Sequence, residues 1–189
     1  VKAPYDSGWE PTVYGVPPEI LLAVDSVFML SPTDGWAAKE IAILRWNGIE
    51  WSFYWPKNRE EWQHHIETFG SFDIRSIYVL SENDGWAAGS GNIFRWNGEN
   101  WLIYENLYDH IPADYLAESD ISIMSVHMLS ENMGFAVGIY FTTIENDFKS
   151  AGLIAMWNGT EWSILENSAD DPLYSVQILS ENEGLAGGK

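Results

Sequence analysis

The phrase "LSENDGWAAG" at Leu80–Gly89 constrains the fold more than any other feature, because the chain repeats it. Related phrases start at Leu30 ("LSPTDGWAAK"), Leu129 ("LSENMGFAVG") and Leu179 ("LSENEGLAGG"). The copies follow one another about every 50 residues. A fixed period of this length is typical of an array of similar structural units stacked side by side.

A second phrase accompanies the first three copies. It reads "RWNGIEW" at Arg45–Trp51, "RWNGENW" at Arg95–Trp101 and "MWNGTEW" at Met156–Trp162. Ahead of each repeated serine stands an apolar run: "SVFML", "SIYVL", "SVHML" or "SVQIL". These runs lack helical spacing and stop at turn-forming residues, which indicates buried strands. One unit therefore reads strand, turn, strand, link, strand, Asn-Gly turn, strand.

The turn chemistry decides the architecture. Asn-Gly between apolar runs is a strong hairpin signal, and it predicts that the two tryptophans of each hairpin face one another across the strands. Four short antiparallel strands in each unit of about 40–50 residues are the signature of a β-propeller blade. The sequence therefore predicts an all-β propeller of about four blades, three of which cover about 21–56, 72–106 and 121–167.

The two chain ends predict the fourth blade. The last unit stops after its second strand, and the N-terminal residues resemble the missing third and fourth strands, with Tyr5 and Trp9 in the two Trp positions. We expect a composite blade of 173–189 plus 1–15 that closes the ring, and one domain over 1–189. Because the chain opens on Val1, it is expected to be a processed or excised piece. For an excised piece, two arrangements are expected: a larger parent ring, or two copies that join into one ring.

The alternation of "S-x-x-D-G-W-A-x-G" with a Gly-plus-Trp hairpin resembles the propellers of the photosystem II stability/assembly-factor type and the wider sialidase-type Asp-box (BNR) superfamily. This resemblance covers nearly the whole chain and implies the architecture. Because such repeats occur both in enzymes and in non-catalytic binding scaffolds, the resemblance does not select between these two functions. The hairpin here departs from the Asp-box pattern, since it reads Trp-Asn-Gly-x-x-Trp. No arginine cluster of the sialidase kind is evident either.

The acidic turn of the first phrase has two interpretations. Asp34 and Asp84 are candidate Ca²⁺ ligands, but Met133 and Glu183 occupy the matching positions, so we expect a structural turn without bound metal or cofactor. The predicted turn residues are Ser31, Asp34, Ser81, Asp84, Ser130 and Ser180.

Antiparallel connectivity places every repeated turn on one face of the ring and every long insertion on the other. The insertions are expected at 16–21, 56–71, 107–120 and 139–150, and 58–70 is predicted to form a short amphipathic helix. Variable loops on one face of a regular scaffold usually carry binding. The predicted binding residues are Trp62, His65, Tyr108, His110, Tyr115, Tyr140, Phe141 and Phe148. A metal site built from His64, His65, His110 and Asp109 is not expected, because adjacent helical residues point in different directions.

The amino-acid composition narrows the range of expected binding partners and locations. The chain has 28 acidic and 9 basic residues and a net charge of −19, which disfavours nucleic acid as a partner. No apolar run reaches the length of a membrane span. The chain has 11 Trp and no Cys, which is compatible with an extracellular, cell-surface or periplasmic location.

Three functions stay open at this point. The first is a non-catalytic scaffold that binds a protein or glycan on the insertion face, and it is favoured because no catalytic motif is present. The second is a glycoside-processing enzyme, similar to sialidases, that uses loop carboxylates about 5–10 Å apart. The third is a structural subunit of a larger surface or membrane-associated complex. The oligomeric state is left open.

Overall fold

The fold is all-β and consists of successive antiparallel sheets. The computed structural model describes residues 24–56, 64, 67, 73–110, 119–144, 147–165 and 169–189. Within these ranges three sheets have four strands each, paired in sequence order, and a fourth sheet is a two-stranded hairpin. The predicted class, an all-β propeller with four-stranded antiparallel blades, is confirmed.

Each sheet corresponds to one repeat unit, which we call a blade. The first blade contains β1 (Ser26–Ser31), β2 (Asp34–Lys39), β3 (Ala42–Trp46) and β4 (Trp51–Trp55). The second contains β5 (Ser76–Ser81), β6 (Asp84–Gly89), β7 (Asn92–Trp96) and β8 (Trp101–Asn106), and a 3₁₀ helix (Leu107–His110) follows it. The third contains β9 (Ser119–Ser130), β10 (Met133–Ile144), β11 (Asp147–Trp157) and β12 (Trp162–Ile164). The last hairpin is β13 (Leu173–Ser180) and β14 (Glu183–Gly188).

The Asn-Gly turns are closed by their own asparagine. In the second blade Oδ1 of Asn97 accepts hydrogen bonds from the amide N–H groups of Glu99 and Asn100, at 3.0 and 2.8 Å. Gly98 has φ of 92°, a left-handed conformation that glycine adopts without steric cost. The same bonds recur around Asn47 and Asn158.

The two phrases of a unit are joined by a tryptophan. The indole N–H of Trp96 donates to the backbone carbonyl of Glu82 at 2.8 Å, so the end of β7 is tied to the turn between β5 and β6. Trp46 and Trp157 make the equivalent bonds to Pro32 and Glu131, at 3.0 and 2.8 Å. The phrases recur together because their turns form one structural unit.

Neighbouring blades pack through tryptophans. As predicted, the hairpin tryptophans are cross-strand partners: Trp46 with Trp51, Trp96 with Trp101 and Trp157 with Trp162. Trp36 of the first blade lies 5.0 Å from Trp96 and 5.6 Å from Trp101 of the second, between ring centroids. Trp86 repeats this arrangement on the third blade, at 4.9 Å from Trp157 and 5.5 Å from Trp162. We call the side of a blade that faces its successor the leading face and the opposite side the trailing face.

A serine links the first strands of adjacent blades. The amide N–H of Ile77 donates to Oγ of Ser26 at 3.1 Å, and that of Val126 donates to Oγ of Ser76 at 3.0 Å. Val176 donates to Ser125 in the same way, at 3.3 Å. These serines open the "SVFML"-type runs, so one repeated position forms the same bond at three successive interfaces.

The fourth unit shows two strands within the described residues, β13 and β14. The segment predicted to complete this blade, 1–15, lies outside the described residues, so the composite blade and the closed ring stay predictions. None of the helical residues described here belongs to a segment long and apolar enough to span a membrane.

Candidate functional site

The third blade carries an ordered extension that the first two blades lack. β9 and β10 have 12 residues each and β11 has 11, whereas the strands at the same places in the second blade have 5 or 6. In the first two blades the second and third strands are linked by Glu40–Ile41 and Ser90–Gly91. We define the extension, 119–124 with 139–152, as the ribbon.

The ribbon corrects one expectation from the sequence. Residues 139–150 were expected to form an irregular loop, but β10 and β11 continue pairing from Ile139↔Gly152 to Ile144↔Asp147. β9 pairs with the other side of β10, from Ile139↔Ser122 to Thr142↔Ser119. The physical reason is that "IYFTTI" consists entirely of β-branched and aromatic residues, which favour a strand over a loop.

Two predicted binding residues, Tyr140 and Phe141, lie on opposite faces of the ribbon. Tyr140 is opposite Ile121 and Ala151, whereas Phe141 is opposite Asp120 and Ser150. Neighbouring residues of a strand point to opposite faces. Tyr140 packs against the buried core of the second and third blades. The two aromatic side chains therefore do not form one patch.

Tyr108 is half-buried and holds the 3₁₀ helix against β9. Its hydroxyl donates to Oδ1 of Asp120 and accepts from the amide N–H of Ile121 at 3.0 Å. A Cβ on Gly91 would collide with the Tyr108 ring, so the glycine leaves room for it. Burial, together with the bond to Asp120, raises the pKa of Tyr108 to about 12. These contacts make Tyr108 a packing residue of the blade junction.

His110, another predicted binding residue, pairs with a carboxylate of its own blade. Its Nε2 lies 3.2 Å from Oε1 of Glu105 at the end of β8. The described residues contain no cluster of three or more His, Asp or Glu side chains able to hold a metal ion. His110 therefore contacts a carboxylate at the end of β8 of its own blade.

The remaining predicted binding residues lie outside what the structure describes. These are Trp62, His65 and Tyr115, together with the side chain of Phe148, whose backbone belongs to β11. In the segment predicted as a helix, 58–70, the two described residues, His64 and Glu67, are helical.

The predicted turn serines bond to their own turns. Oγ of Ser31 accepts from the amide N–H of Thr33 at 3.2 Å, and Ser81 and Ser130 accept from Asn83 and Asn132, both at 3.3 Å. Ser180 is exposed and pairs across the last hairpin with Glu183.

Sequence reasoning missed the partner of the turn aspartate. Asp34 accepts from Nε and Nη2 of Arg45 at 3.1 and 3.3 Å, and Asp84 accepts from Nε of Arg95 at 3.2 Å. Each guanidinium also stacks over the tryptophan of the "GWA" strand, at 4.7 Å from Trp36 and 4.8 Å from Trp86.

The third blade replaces both members of this pair. Met133 stands at the aspartate position and Met156 at the arginine position. This joint replacement is visible in the sequence and was the signal that could have revealed the pair. Burial raises the pKa of Asp84 and the nearby Arg95 lowers it, so the guanidinium offsets only part of the effect of burial on this carboxyl group.

An apolar cleft of about 330 Å³ lies between the third blade and the last hairpin. Its walls include the leading-face residues Phe135, Val137, Ile154 and Leu165 and the trailing-face residues Val176 and Ile178. At the second interface this position is filled by Trp157 and Trp162, which come from third and fourth strands. The cleft therefore lies at the place that third-strand and fourth-strand tryptophans fill at the second interface.

Comparisons with known proteins find similarity at the level of structure. No family model matches the sequence, and no curated protein matches it. The extracellular domain of a protein described as the one-component system BT4673, from B. thetaiotaomicron, is 12% identical with a TM-score of 0.41. The match covers 87% of this chain and 25% of that chain, so this chain spans about a quarter of the matched protein. The resemblance to photosystem II assembly-factor and Asp-box propellers stays a prediction.

Proposed function

We propose that this chain is a non-catalytic assembly scaffold that binds a protein partner through the ribbon of the third blade. The observation that supports this proposal most is the ordered three-stranded extension, which the first two blades do without. Extra structure on one face of a repeated scaffold is where binding is usually located.

The contacts of the aromatic residues favour a protein over a glycan. Sugar stacking needs an open aromatic ring with polar groups beside it. Tyr108 is hydrogen-bonded at the blade junction and Tyr140 packs on the core, so neither ring offers an open platform. The outer face, which carries Phe141, Asp120 and Ser150, instead combines an aromatic side chain with polar neighbours on a strand surface.

The net charge of −19 favours a partner with a basic surface. An excess of one charge steers partners of the opposite charge and accelerates association at low ionic strength. Such a partner, at an extracellular, cell-surface or periplasmic location, fits the scaffold role. Binding is then expected to weaken as salt is raised.

A ribbon-shortened variant tests this function. Residues 141–150 are replaced by Ser-Gly, the link of the second blade, so that Tyr140 and Ala151 stay paired and Tyr140 keeps its place against the core. The variant is compared with wild type in pull-downs from native material and on a glycan array. We expect wild type to capture a specific protein and the variant to lose it while keeping its melting temperature within a few degrees.

Phe141→Ala is the matched point variant, and Phe53→Ala, on an exposed outer strand of the first blade, is its control. Loss of capture with Phe141→Ala but not with Phe53→Ala supports binding of the partner through the ribbon. Capture that survives both the shortening and Phe141→Ala contradicts the proposal, and so does a glycan that competes for binding.

A further inference from the structure

The outer strand of the ribbon, β11, turns part of its backbone away from β10. The amide N–H of Leu165 donates to the carbonyl of Ile154 at 2.8 Å, and the amide N–H of Gly152 donates to the carbonyl of Ala169 at 3.0 Å. In an antiparallel sheet, the backbone groups of residues two apart on a strand point to the same side. The N–H and C=O of Ser150 therefore point to this same outer edge of β11.

The cover that the chain gives this edge ends at Gly152. A Cβ on Gly152 would collide with the carbonyl oxygen of Asp171, after which the chain enters β13 and pairs with β14. Among the residues that the structure describes, none pairs with the outward backbone groups of Phe148 or Ser150. Ser150 is exposed. β11 therefore presents an open strand edge within the ribbon.

The opposite edge of the ribbon, along β9, is covered at the corresponding place. The amide N–H of Ile121 donates to the hydroxyl of Tyr108 at 3.0 Å, and Tyr108 is itself held by Asp120. An open strand edge is a template for pairing with another chain, and proteins usually cover or charge such edges. Since β9 is covered by a half-buried tyrosine, the edge of β11 is the side of the ribbon on which a further strand can pair.

Charge near the open edge favours a basic segment. Asp170 and Asp171 are both exposed and follow Ala169, the residue that pairs with Gly152. A segment that continues along the edge from this point passes next to the two carboxylates. The net charge of −19 acts in the same direction, because it attracts basic partners over a longer range.

Resting on the scaffold function proposed above, we propose that the protein partner adds an extended basic segment as a further strand along β11. The N–H and C=O groups of Phe148 and Ser150 bond to this segment, which continues the antiparallel pairing of Gly152 with Ala169. In strand addition the main-chain hydrogen bonds supply affinity and alternate side chains supply specificity. Phe141, opposite Ser150 on the outer face, contacts side chains of the same segment.

Ser150→Pro tests the role of the backbone. It removes the outward N–H and leaves the pairing of β11 with β10, and proline is tolerated on an edge strand where the N–H points outward. Ser150→Ala is the matched control, because it changes the side chain and keeps the N–H. The probe is the peptide acetyl-Lys-Val-Lys-Val-Lys-Val-Lys-amide, and a peptide with Glu in place of each Lys is the charge control.

The lysine peptide is expected to bind wild type and Ser150→Ala equally, and the glutamate peptide is expected not to bind. Ser150→Pro is expected to raise the dissociation constant of the lysine peptide by about tenfold or more. Equal dissociation constants for the proline and alanine variants overturn the proposal. Failure of the lysine peptide to bind wild type overturns it as well.

Amide hydrogen exchange of wild type gives a test that does not depend on the folding of a variant. The amide of Ser150 is expected to exchange fast in the free protein and slowly with the lysine peptide. The amide of Gly152 is expected to exchange slowly in both, because it donates to Ala169. Slow exchange of Ser150 in the free protein overturns the proposal, since the edge is then already covered.

Pull-downs with the same variants separate this proposal from the scaffold function. If the ribbon-shortened variant loses the partner and Ser150→Pro keeps it, the partner binds the ribbon without strand addition, and only the present proposal is wrong. If the ribbon-shortened variant keeps the partner, the scaffold function is wrong and the present proposal falls with it. Loss of the partner in both, with capture kept by Ser150→Ala, is the expected result.

Discussion

The Asp84–Arg95 pair shows that the same two repeat positions can hold either an ion pair or two apolar side chains in the same fold. In two blades the position holds a half-buried ion pair stacked on tryptophan, and in the third it holds Met133 and Met156. Removing both charges from such a pair is often neutral or stabilising, whereas removing one leaves a charge without its partner.

We therefore expect Asp84→Met and Arg95→Met each to lower the free energy of unfolding by about 1–3 kcal/mol. The double variant, which copies the third blade, is expected to lie within about 1 kcal/mol of wild type. Denaturant unfolding of all four proteins measures the cycle. Additive losses in the double variant would show that the two side chains stabilise the fold independently.

His127 gives the third interface a pH dependence. Its Nδ1 accepts from the amide N–H of Ile178 at 3.4 Å, and its ring lies 4.6 Å from that of Tyr78. Burial lowers the pKa of His127, so the folded chain takes up this proton at a lower pH than the unfolded chain does. The folded state therefore loses stability as pH falls below about 6.5, the pKa of an unfolded histidine.

His127→Gln is expected to flatten this part of the profile, since glutamine already occupies the matching position, Gln177. Unfolding free energies between about pH 5 and pH 8 are compared for the two proteins, in which the other histidines and the carboxylates are the same. If the unfolding free energies of wild type and His127→Gln change with pH in parallel, His127 is not the source of the pH dependence.

The turn aspartates also show which contact could not be predicted from a single phrase of the sequence. The tight turn followed from Ser, Asn and Gly chemistry, which is local to the phrase. The bond from Arg45 to Asp34 crosses from one phrase to the other, so no local pattern reveals it. Comparing which residues change together between the repeats would have found it.

The 3₁₀ helix (Leu107–His110) and β9 depend on one another through Tyr108. Tyr108→Phe removes the hydroxyl that bonds Asp120 and the amide of Ile121. We expect a loss of about 1–2 kcal/mol in unfolding free energy. Tyr174→Phe, at an exposed position of β13, is the control and is expected to change little. An equal effect of both variants on the urea midpoint would argue against a stabilising role of the Tyr108 hydroxyl between the 3₁₀ helix and β9.

Elements with a repeated pattern could be predicted, and the insertions could not. The strands, the hairpins and the facing tryptophans follow from alternation and turn residues that recur in each unit. Residues 139–150 were expected to form an irregular insertion because they have no counterpart in the other repeat units. Its strands are instead held by pairing of β10 with both β9 and β11, which a local pattern does not reveal.

At the scale of the whole molecule, the described blades form an array in which one junction recurs three times with the same serine–amide bond. The binding site is harder to predict than the fold. The fold follows from sequence patterns that recur in each unit, whereas the predicted binding residues lie in insertions that occur only once. Tyr108 illustrates this: its position in an insertion predicted a binding role, yet its contacts are those of a packing residue.

Amide hydrogen exchange at four equivalent backbone positions tests the repeated junction most directly. The amides of Ile77, Val126 and Val176 each donate to a serine of the preceding blade, so they are expected to exchange slowly. The amide of Val27, at the same repeat position, takes part in no junction between described blades and is expected to exchange faster. Fast exchange at the first three positions, or equal protection of all four, would contradict this description of the molecule.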